Sequence, residues 1–327
     1  MSGTKDIDPS GKPWLESAAF LLGLEIEGLL VECPKCGAKG IPMKKYEKGN
    51  KGSVCVIHKN SSNLLHLCPL NKEEMQVIRK QINITESDVE RIVKAATPYV
   101  LFSGGLDSLC TLLYIKAVAQ KVNRNVRALH VDTTVGMSDT TKYVEEVCKK
   151  IGVDLQIVRP KIDFFTLAKK WGIPSHTYRW CCRELKIKPL AEHLRKKPEP
   201  KVVLDGIRAA ESRIRASYLP AWYHPSFKCL CVSPIFYWSN IEVRRYIMDE
   251  FDFTTEIFED LRTSPECWCG AYKSKSDFEK LYTSCPELFN KLAELEINSK
   301  TNFTFIYENG KKISLIELKN EIISTSF

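Results

Sequence analysis

Four groups of side chains have types and spacings that can do chemistry. The first is Cys33-Pro-Lys-Cys36-Gly, where two thiols three residues apart face one point, and Pro34 and Gly37 shape the turn. Such a knuckle is half of a tetrahedral zinc site, and Cys55, His58, His66 and Cys68 can supply the other half. His58 with Cys68 is the favoured completion, because "VIHK" followed by "LCPL" closes a two-knuckle ribbon; Cys55 with His58 is the rival. The second group is Ser103-Gly104-Gly105-Leu106-Asp107-Ser108, placed between an apolar strand-like run and an apolar helical run. Adjacent glycines let backbone N–H groups point at a ligand, the serines add hydroxyl donors, and the next helix adds positive potential at its N-terminus. Ser103, Gly104, Gly105, Asp107 and Ser108 therefore form a cradle for phosphate or sulfate. The third group is "DGIRAAESRIR", in which Gly206 opens a turn flanked by Arg208 and Arg213. Their planar forks can take phosphate or sulfate oxygens two at a time, as lysine cannot. The fourth is the adjacent pair Cys181-Cys182, followed by Lys186 and Lys188, together with Cys267-Trp268-Cys269.

Thirteen cysteines accompany an amino terminus that lacks a basic start followed by an apolar signal core. That argues for metals, clusters or thiol chemistry rather than a secreted disulfide framework. The expected compartment is the reducing cytoplasm, or the source is a thermophile in which intracellular disulfides occur. No apolar run is long enough to span a bilayer, so no membrane partner is expected. The net charge is +8, and residues 179–215 hold eleven Lys and Arg against five Asp and Glu, 11 − 5 = +6. An anionic partner follows.

These groups need elements to hold them. With 327 residues and 44% apolar side chains the chain can bury a substantial core. "WLESAAFLLGLEIEGLL" reads as an amphipathic helix over 13–30, and 31–70 reads as short strands and turns, giving a small separate helix and zinc-ribbon module over 1–70. Thr85 with Asp88 three residues on is a capping signal for a connecting helix. From residue 99 strand and helix patterns alternate: 99–102, a helix to 120, 126–132, a helix over 138–151, 154–158, helical segments to 195, and 201–207. Alternation of this kind predicts an α/β fold, a doubly wound parallel sheet, over 71–250. A helix over 240–250 precedes a Cys-containing extension over 251–327, which ends in a hairpin around Glu308-Asn309-Gly310 and an amphipathic helix. Ligands of such sheets bind beyond the carboxyl ends of the strands, where loops 103–108, 132–134 and 206–213 fall.

On "SGGLDS", "HVDTTVGMSDTTKYV", "RWCCRELKIKPL" and "DGIRAAESRIR", in that order, the chain resembles the PP-loop superfamily over roughly 99–287, and within it the phosphoadenosine phosphosulfate (PAPS) reductase family. The resemblance implies the PP-loop, adenine nucleotide alpha hydrolase-like fold, an adenine nucleotide at the cradle, and Asp132 and Thr133 beside that nucleotide. Gly206, Arg208 and Arg213 would then meet its anion. It further implies a 4Fe-4S cluster on Cys181, Cys182, Cys267 and Cys269, with zinc, a disulfide or plain thiols as the alternatives there. Cys181, Cys182, Asp107 and Arg208 are the implied catalytic residues. Two departures stand out: no "ECGLH" motif follows Cys285, and Cys267 and Cys269 are separated by one residue instead of two. Zinc modules similar to 33–68 precede the PP-loop domain in transfer-RNA thiolation enzymes. Three functions are therefore weighed: a reductase-like enzyme acting on adenosine phosphosulfate or its 3′-phosphate (PAPS), slightly ahead; an ATP-dependent tRNA thiolation enzyme; and a non-catalytic nucleotide- or RNA-binding module. The expected partners are an adenine nucleotide, tRNA, an electron- or sulfur-donor protein, and a second copy in a homodimer.

Overall fold

The computed structural model describes residues 6–7, 18, 20–46, 52–59, 64–175, 177–251, 265–298, 304–308 and 310–325. In chain order these form β1 (Asp6–Ile7), β2 (Val31–Glu32), β3 (Lys39–Tyr46), β4 (Gly52–Lys59), β5 (Leu65–Leu70), α1 (Lys72–Gln81), α2 (Glu86–Ala95) and β6 (Thr97–Leu101). There follow α3 (Leu106–Lys121), β7 (Arg127–Val131), α4 (Ser138–Ile151), β8 (Asp154–Val158), α5 (Phe164–Trp171), a π-helical stretch (Cys182–Ile187), α6 (Lys188–Arg195) and β9 (Lys201–Leu204). The remainder comprises β10 (Ala221–His224), β11 (Cys229–Val232), α7 (Asn240–Glu250), α8 (Lys275–Ser284), α9 (Pro286–Ile297), β12 (Ile306–Glu308), β13 (Lys311–Ile313) and α10 (Leu315–Thr325).

By contact the chain forms two compact units: 1–102, 106–129 and 192–252 in the first, and 103–105, 130–191 and 253–327 in the second. The division 1–70, 71–250 and 251–327 follows sequence signals, whereas this one follows space.

The first unit is built on a sheet ordered β1-β5-β4-β3-β10-β11-β9-β6-β7, with β2 on β3. The pairs β11–β9, β9–β6 and β6–β7 are parallel, so the α/β core is the mostly parallel sheet that the alternating pattern predicts. Because β9 lies on the side of β6 away from β7, the order reverses at β6, and crevices at such reversals are where ligands sit in open sheets. Residues 31–70 read as a separate module, but β3 runs parallel to β10 at Met43–Tyr223 and joins the ribbon strands to the same sheet. Pairing there removes an open strand edge from β10. Thr85 caps α2 as expected, its hydroxyl accepting from the Asp88 amide while Asp88 accepts from the Thr85 amide. Val89, Ile92 and Val93 are the buried face of that helix. The helix expected over 13–30 is shorter: helical geometry ends at Gly23, and Glu25 takes a left-handed φ of 48°. Residues 13–17 and 19 lie outside the described residues.

In the second unit α4 spans the residues read from sequence and ends at Gly152, whose φ of 70° suits a left-handed cap. The core gathers Phe164, Trp180, Trp268, Phe278, Phe289 and Leu318, and it includes Cys181 and Cys269. The hairpin β12–β13 and helix α10 appear as the tail pattern predicts, with Asn309 outside the described residues. Among the described residues no helix is long and apolar enough to cross a membrane.

Candidate functional site

Strand β6 ends at Leu101, and the Phe102 amide donates to the Leu129 carbonyl at 2.9 Å, fixing where the loop leaves the sheet. Gly104 then takes φ +83°, which disfavours any side chain, and α3 starts at Leu106. A Cβ on Gly105 would meet nothing closer than the Ser103 hydroxyl at 3.8 Å. A small side chain at Gly105 would therefore meet only ordinary contact. Within the second unit Gly104 packs beside Thr140 and Tyr143. The Thr140 hydroxyl is fully buried and has no hydrogen-bond partner among the described residues.

In the first unit the turn after β9 presses onto the first turn of α3. A Cβ on Gly206 would lie 2.7 Å from the Asp107 carbonyl carbon and oxygen and 2.9 Å from the Ser108 amide. Only glycine fits there. Arg208 is buried, and its fork is engaged inside the protein: Nε to Asp107 Oδ1 at 2.8 Å, Nη1 to the Trp238 carbonyl at 3.1 Å, and Nη2 to Asn240 Oδ1 at 2.8 Å. Arg208 thus holds Asp107 in place, whereas Arg213 is exposed. Burial raises the Asp107 carboxyl above its ordinary range, and the Arg208 guanidinium pulls against that rise.

The loop after β7 belongs to the second unit. Asp132 Oδ1 accepts from the Thr134 amide at 2.9 Å and Oδ2 from Arg159 Nε at 2.8 Å. Thr133 is fully buried; its amide donates to Glu266 Oε1 and its hydroxyl to the Glu266 carbonyl, both at 2.6 Å. The other Glu266 oxygen lies 3.2 Å from His130 Nε2.

One residue further along are the thiols. Cys181 Sγ donates to Cys269 Sγ at 3.4 Å, and Cys182 and Cys267 are half-buried at the same core. Hydrogen bonds from neighbouring thiols set their charges. The Cys181 bond lowers Cys182 to about 7, against the effect of burial and with help from Lys186. Bonds from Cys181 and Cys267 bring Cys269 well below the ordinary thiol range. Cys181 and Cys267, the donors, are pushed up. Burial works to deprotonate Lys186, but Cys267, Cys182, Cys269 and Glu266 together raise its pKa. Burial lowers Lys273 to about 8, opposed chiefly by Asp277. The site thus sets two lowered thiols, Cys182 and Cys269, beside two raised ones and the Lys186 ammonium. Four cysteines are the usual complement of an iron–sulfur cluster, so the donor set fits one.

The ribbon in the first unit brings Cys33, Cys36 and Cys68 together, their sulfur atoms all within 4.8 Å. His58 Nε2 lies 3.2 Å from Cys36 Sγ and 3.5 Å from Cys68 Sγ. Three thiols and an imidazole are a zinc donor set. His66 sits with His58 and Cys68 in an overlapping group, whereas Cys55 is buried outside both. Burial and the Cys33 and Cys36 sulfurs push Cys68 up to about 12. For Cys36 burial also raises, but the Ala38 amide, Cys33 and Cys68 outweigh it and the pKa falls.

Glu266 is the site residue that sequence reasoning missed. Its neighbour Cys267 drew attention to the segment, yet the partners of Glu266 lie 133 and more residues away and leave no local pattern.

Residues 97–254 match the family model described as the phosphoadenosine phosphosulfate reductase domain. An uncharacterised protein of Methanocaldococcus jannaschii is 29% identical over 216 residues, 65% of this chain and 44% of its own length; a second from that organism is 27% identical over 69% of this chain and 52% of its length. The chain therefore spans about half the length of these curated relatives. A tRNA(Ile)-lysidine synthase of Clostridium tetani is 36% identical over 84 residues, 25% of this chain and 18% of that one. Among solved structures, a PAPS reductase from Candida auris in complex with phosphate aligns with a TM-score of 0.42 at 20% identity, over 58% of this chain and 92% of that one. The U34-tRNA thiolase NcsA from Methanococcus maripaludis, with its 4Fe-4S cluster, aligns with a TM-score of 0.38 at 15% identity, over 82% and 87%.

Proposed function

Taking residues 97–254 as a phosphoadenosine phosphosulfate reductase domain, we propose that the chain is an enzyme that binds an adenine nucleotide through loop 103–108 and performs sulfur chemistry at Cys181, Cys182, Cys267 and Cys269. The observation that carries this reading is the buried thiol group itself. Two lowered thiols, Cys182 and Cys269, beside the Lys186 ammonium make a nucleophilic, anion-accepting centre. These four cysteines would hold a 4Fe-4S cluster; were only three of them to ligate, one iron would be left open as a site for sulfide.

The reaction class we favour is ATP-dependent sulfur transfer to an RNA base. An acceptor carbonyl oxygen attacks the α-phosphorus of ATP and pyrophosphate leaves. Hydrosulfide from a donor then attacks the activated carbon, and AMP departs carrying the oxygen. Gly104 and Gly105 present backbone amides to the phosphates, and Arg208 fixes the Asp107 carboxylate beside α3. The Cys33/Cys36/His58/Cys68 donor set fits structural zinc, and zinc modules similar to it precede the PP-loop domain in transfer-RNA thiolation enzymes, which favours a nucleic-acid partner. The local similarity to a tRNA(Ile)-lysidine synthase points the same way. The second reading, reductive cleavage of an adenylyl phosphosulfate, is favoured by the family match.

A calorimetric panel of ATP, adenosine phosphosulfate and its 3′-phosphate on anaerobically prepared protein separates them. The favoured reading expects ATP to bind most tightly; preference for a phosphosulfate overturns it in favour of the second.

A further inference from the structure

Glu266 lies between two parts of the second unit: the loop after β7, with Asp132 and Thr133, which the family resemblance puts beside the nucleotide, and Cys267-Trp268-Cys269, the segment carrying two of the cysteines of the proposed sulfur centre. The segments are stitched by four hydrogen bonds, one through the Glu266 carboxylate, one onto the Glu266 carbonyl and two from main chain to main chain. Thr133 donates its amide to Glu266 Oε1 and its hydroxyl to the Glu266 carbonyl, the Trp268 amide donates to the Val135 carbonyl at 2.9 Å, and the Met137 amide donates to the Pro265 carbonyl at 3.3 Å. His130, on β7, meets the second carboxylate oxygen. Gly136 closes the fit, since a Cβ there would lie 2.9 Å from the Glu266 carbonyl oxygen and 3.0 Å from Oε2. Glu266 is 3% exposed and Thr133 0%, so neither contact competes with water.

A carboxylate that is buried, doubly engaged and covalently next to a thiol is more than a space-filler, because a leucine would pack such a site without the desolvation cost. We propose that Glu266 is a positioning residue that makes the β7 loop and the 265–269 segment one mechanical body, so that a nucleotide on the loop sets the order of the segment carrying Cys267 and Cys269. The inference rests on the proposed nucleotide reading. It adds to it a coupling: occupancy of the nucleotide loop is transmitted to the sulfur centre through Thr133 and Glu266. Sulfur chemistry is then confined to protein that already holds its nucleotide.

Hydrogen exchange on the full-length, anaerobically prepared protein, with and without saturating ATP or adenosine phosphosulfate, tests the coupling apart from activity. In the wild type, nucleotide should slow exchange in peptides covering 130–137 and 265–270 alike, by about fivefold or more. In Glu266→Ala, which removes the bond from the Thr133 amide and the contact with His130, the slowing should persist at 130–137 and shrink markedly at 265–270. Glu266→Gln, which keeps an acceptor for the Thr133 amide, should restore most of it. Should Glu266→Ala fail to fold, Gly136→Ala displaces the same carboxylate from the other side and should uncouple the segments likewise. Slowing at 265–270 that is undiminished in the variants, or never occurs in the wild type while 130–137 is protected, overturns the coupling. Calorimetric binding that protects neither segment overturns instead the placement of nucleotide at the β7 loop, and with it the coupling. No binding at all overturns the proposed function itself.

Discussion

Replacing Arg208 by Met should reveal how firmly the structure holds Asp107. The Arg208 side chain is 6% exposed and that of Asp107 25%, and the guanidinium also serves the Trp238 carbonyl and Asn240. Methionine fills similar volume but leaves a half-buried carboxylate without its cation. Breaking a buried pair in this way costs about 3–5 kcal/mol, and the partial exposure of Asp107 with the solvent-facing position of Asn240 places this case at about 3. The cost should depend on pH with a definite sign. Burial holds the folded-state pKa of Asp107 above its ordinary 3.8, so its favourable contribution is full below that value and is lost as pH rises through the folded pKa. Removing Arg208 removes the main opposing pull and raises the folded pKa further. Urea unfolding should therefore show a larger difference between wild type and Arg208→Met at about pH 8 than at about pH 5. Lysine, lacking the fork, should not rescue it. A pH-independent difference would refute the view that Arg208 acts by holding a charged Asp107.

Cys181→Ala should take away the first cause of the lowered Cys182 pKa and return it toward 9.0. At pH 7 the thiolate fraction would fall from about one half to about one in a hundred, read as a comparable drop in the alkylation rate of metal-free protein. Gly105→Val should leave folding nearly intact, since the nearest atom is 3.8 Å away, yet abolish nucleotide binding by calorimetry; unchanged affinity would remove Gly105 from the cradle. Wild-type protein should carry one zinc in the ribbon, lost in Cys68→Ser, with affinity rising with pH because metal must displace the proton that Cys68 holds up to about 12. Retention of the full zinc content in Cys68→Ser would exclude that ligand. If tRNA is the acceptor, its affinity should fall steeply with salt through counterion release, and absence of binding at low salt would remove RNA from the account.

Much of this was legible because it is local. The Ser103-Gly-Gly-Leu-Asp-Ser string, the Thr85 cap, the Asn240–Glu250 helix and the Cys33-x-x-Cys36 knuckle are short-range patterns, and the elements formed where those patterns lay. The misses were long-range or conformational. Nothing near residue 43 announces that β3 will pair with β10, because edge pairing is decided by whichever strand is left open. The helix read to residue 30 ended at Gly23 because the left-handed turn at Glu25 overrode a continuing apolar pattern. Arginine types and spacing suggested an anion ligand at 208, but the inward rotamer that engages Asp107, Trp238 and Asn240 depends on residues 30 to 101 positions away.

The central claim is that an adenine nucleotide is consumed to move sulfur through Cys181, Cys182, Cys267 and Cys269. The most direct measurement incubates anaerobically prepared, iron- and sulfide-loaded protein with radiolabelled ATP, unmodified tRNA and labelled sulfide, and follows AMP and RNA-bound sulfur together. The account predicts that both appear in equal amounts with wild type and that RNA-bound sulfur is lost in a Cys181→Ala, Cys182→Ala double variant. Absence of AMP and labelled RNA from the wild-type reaction, with sulfite released from adenosine phosphosulfate by the same protein, would contradict it.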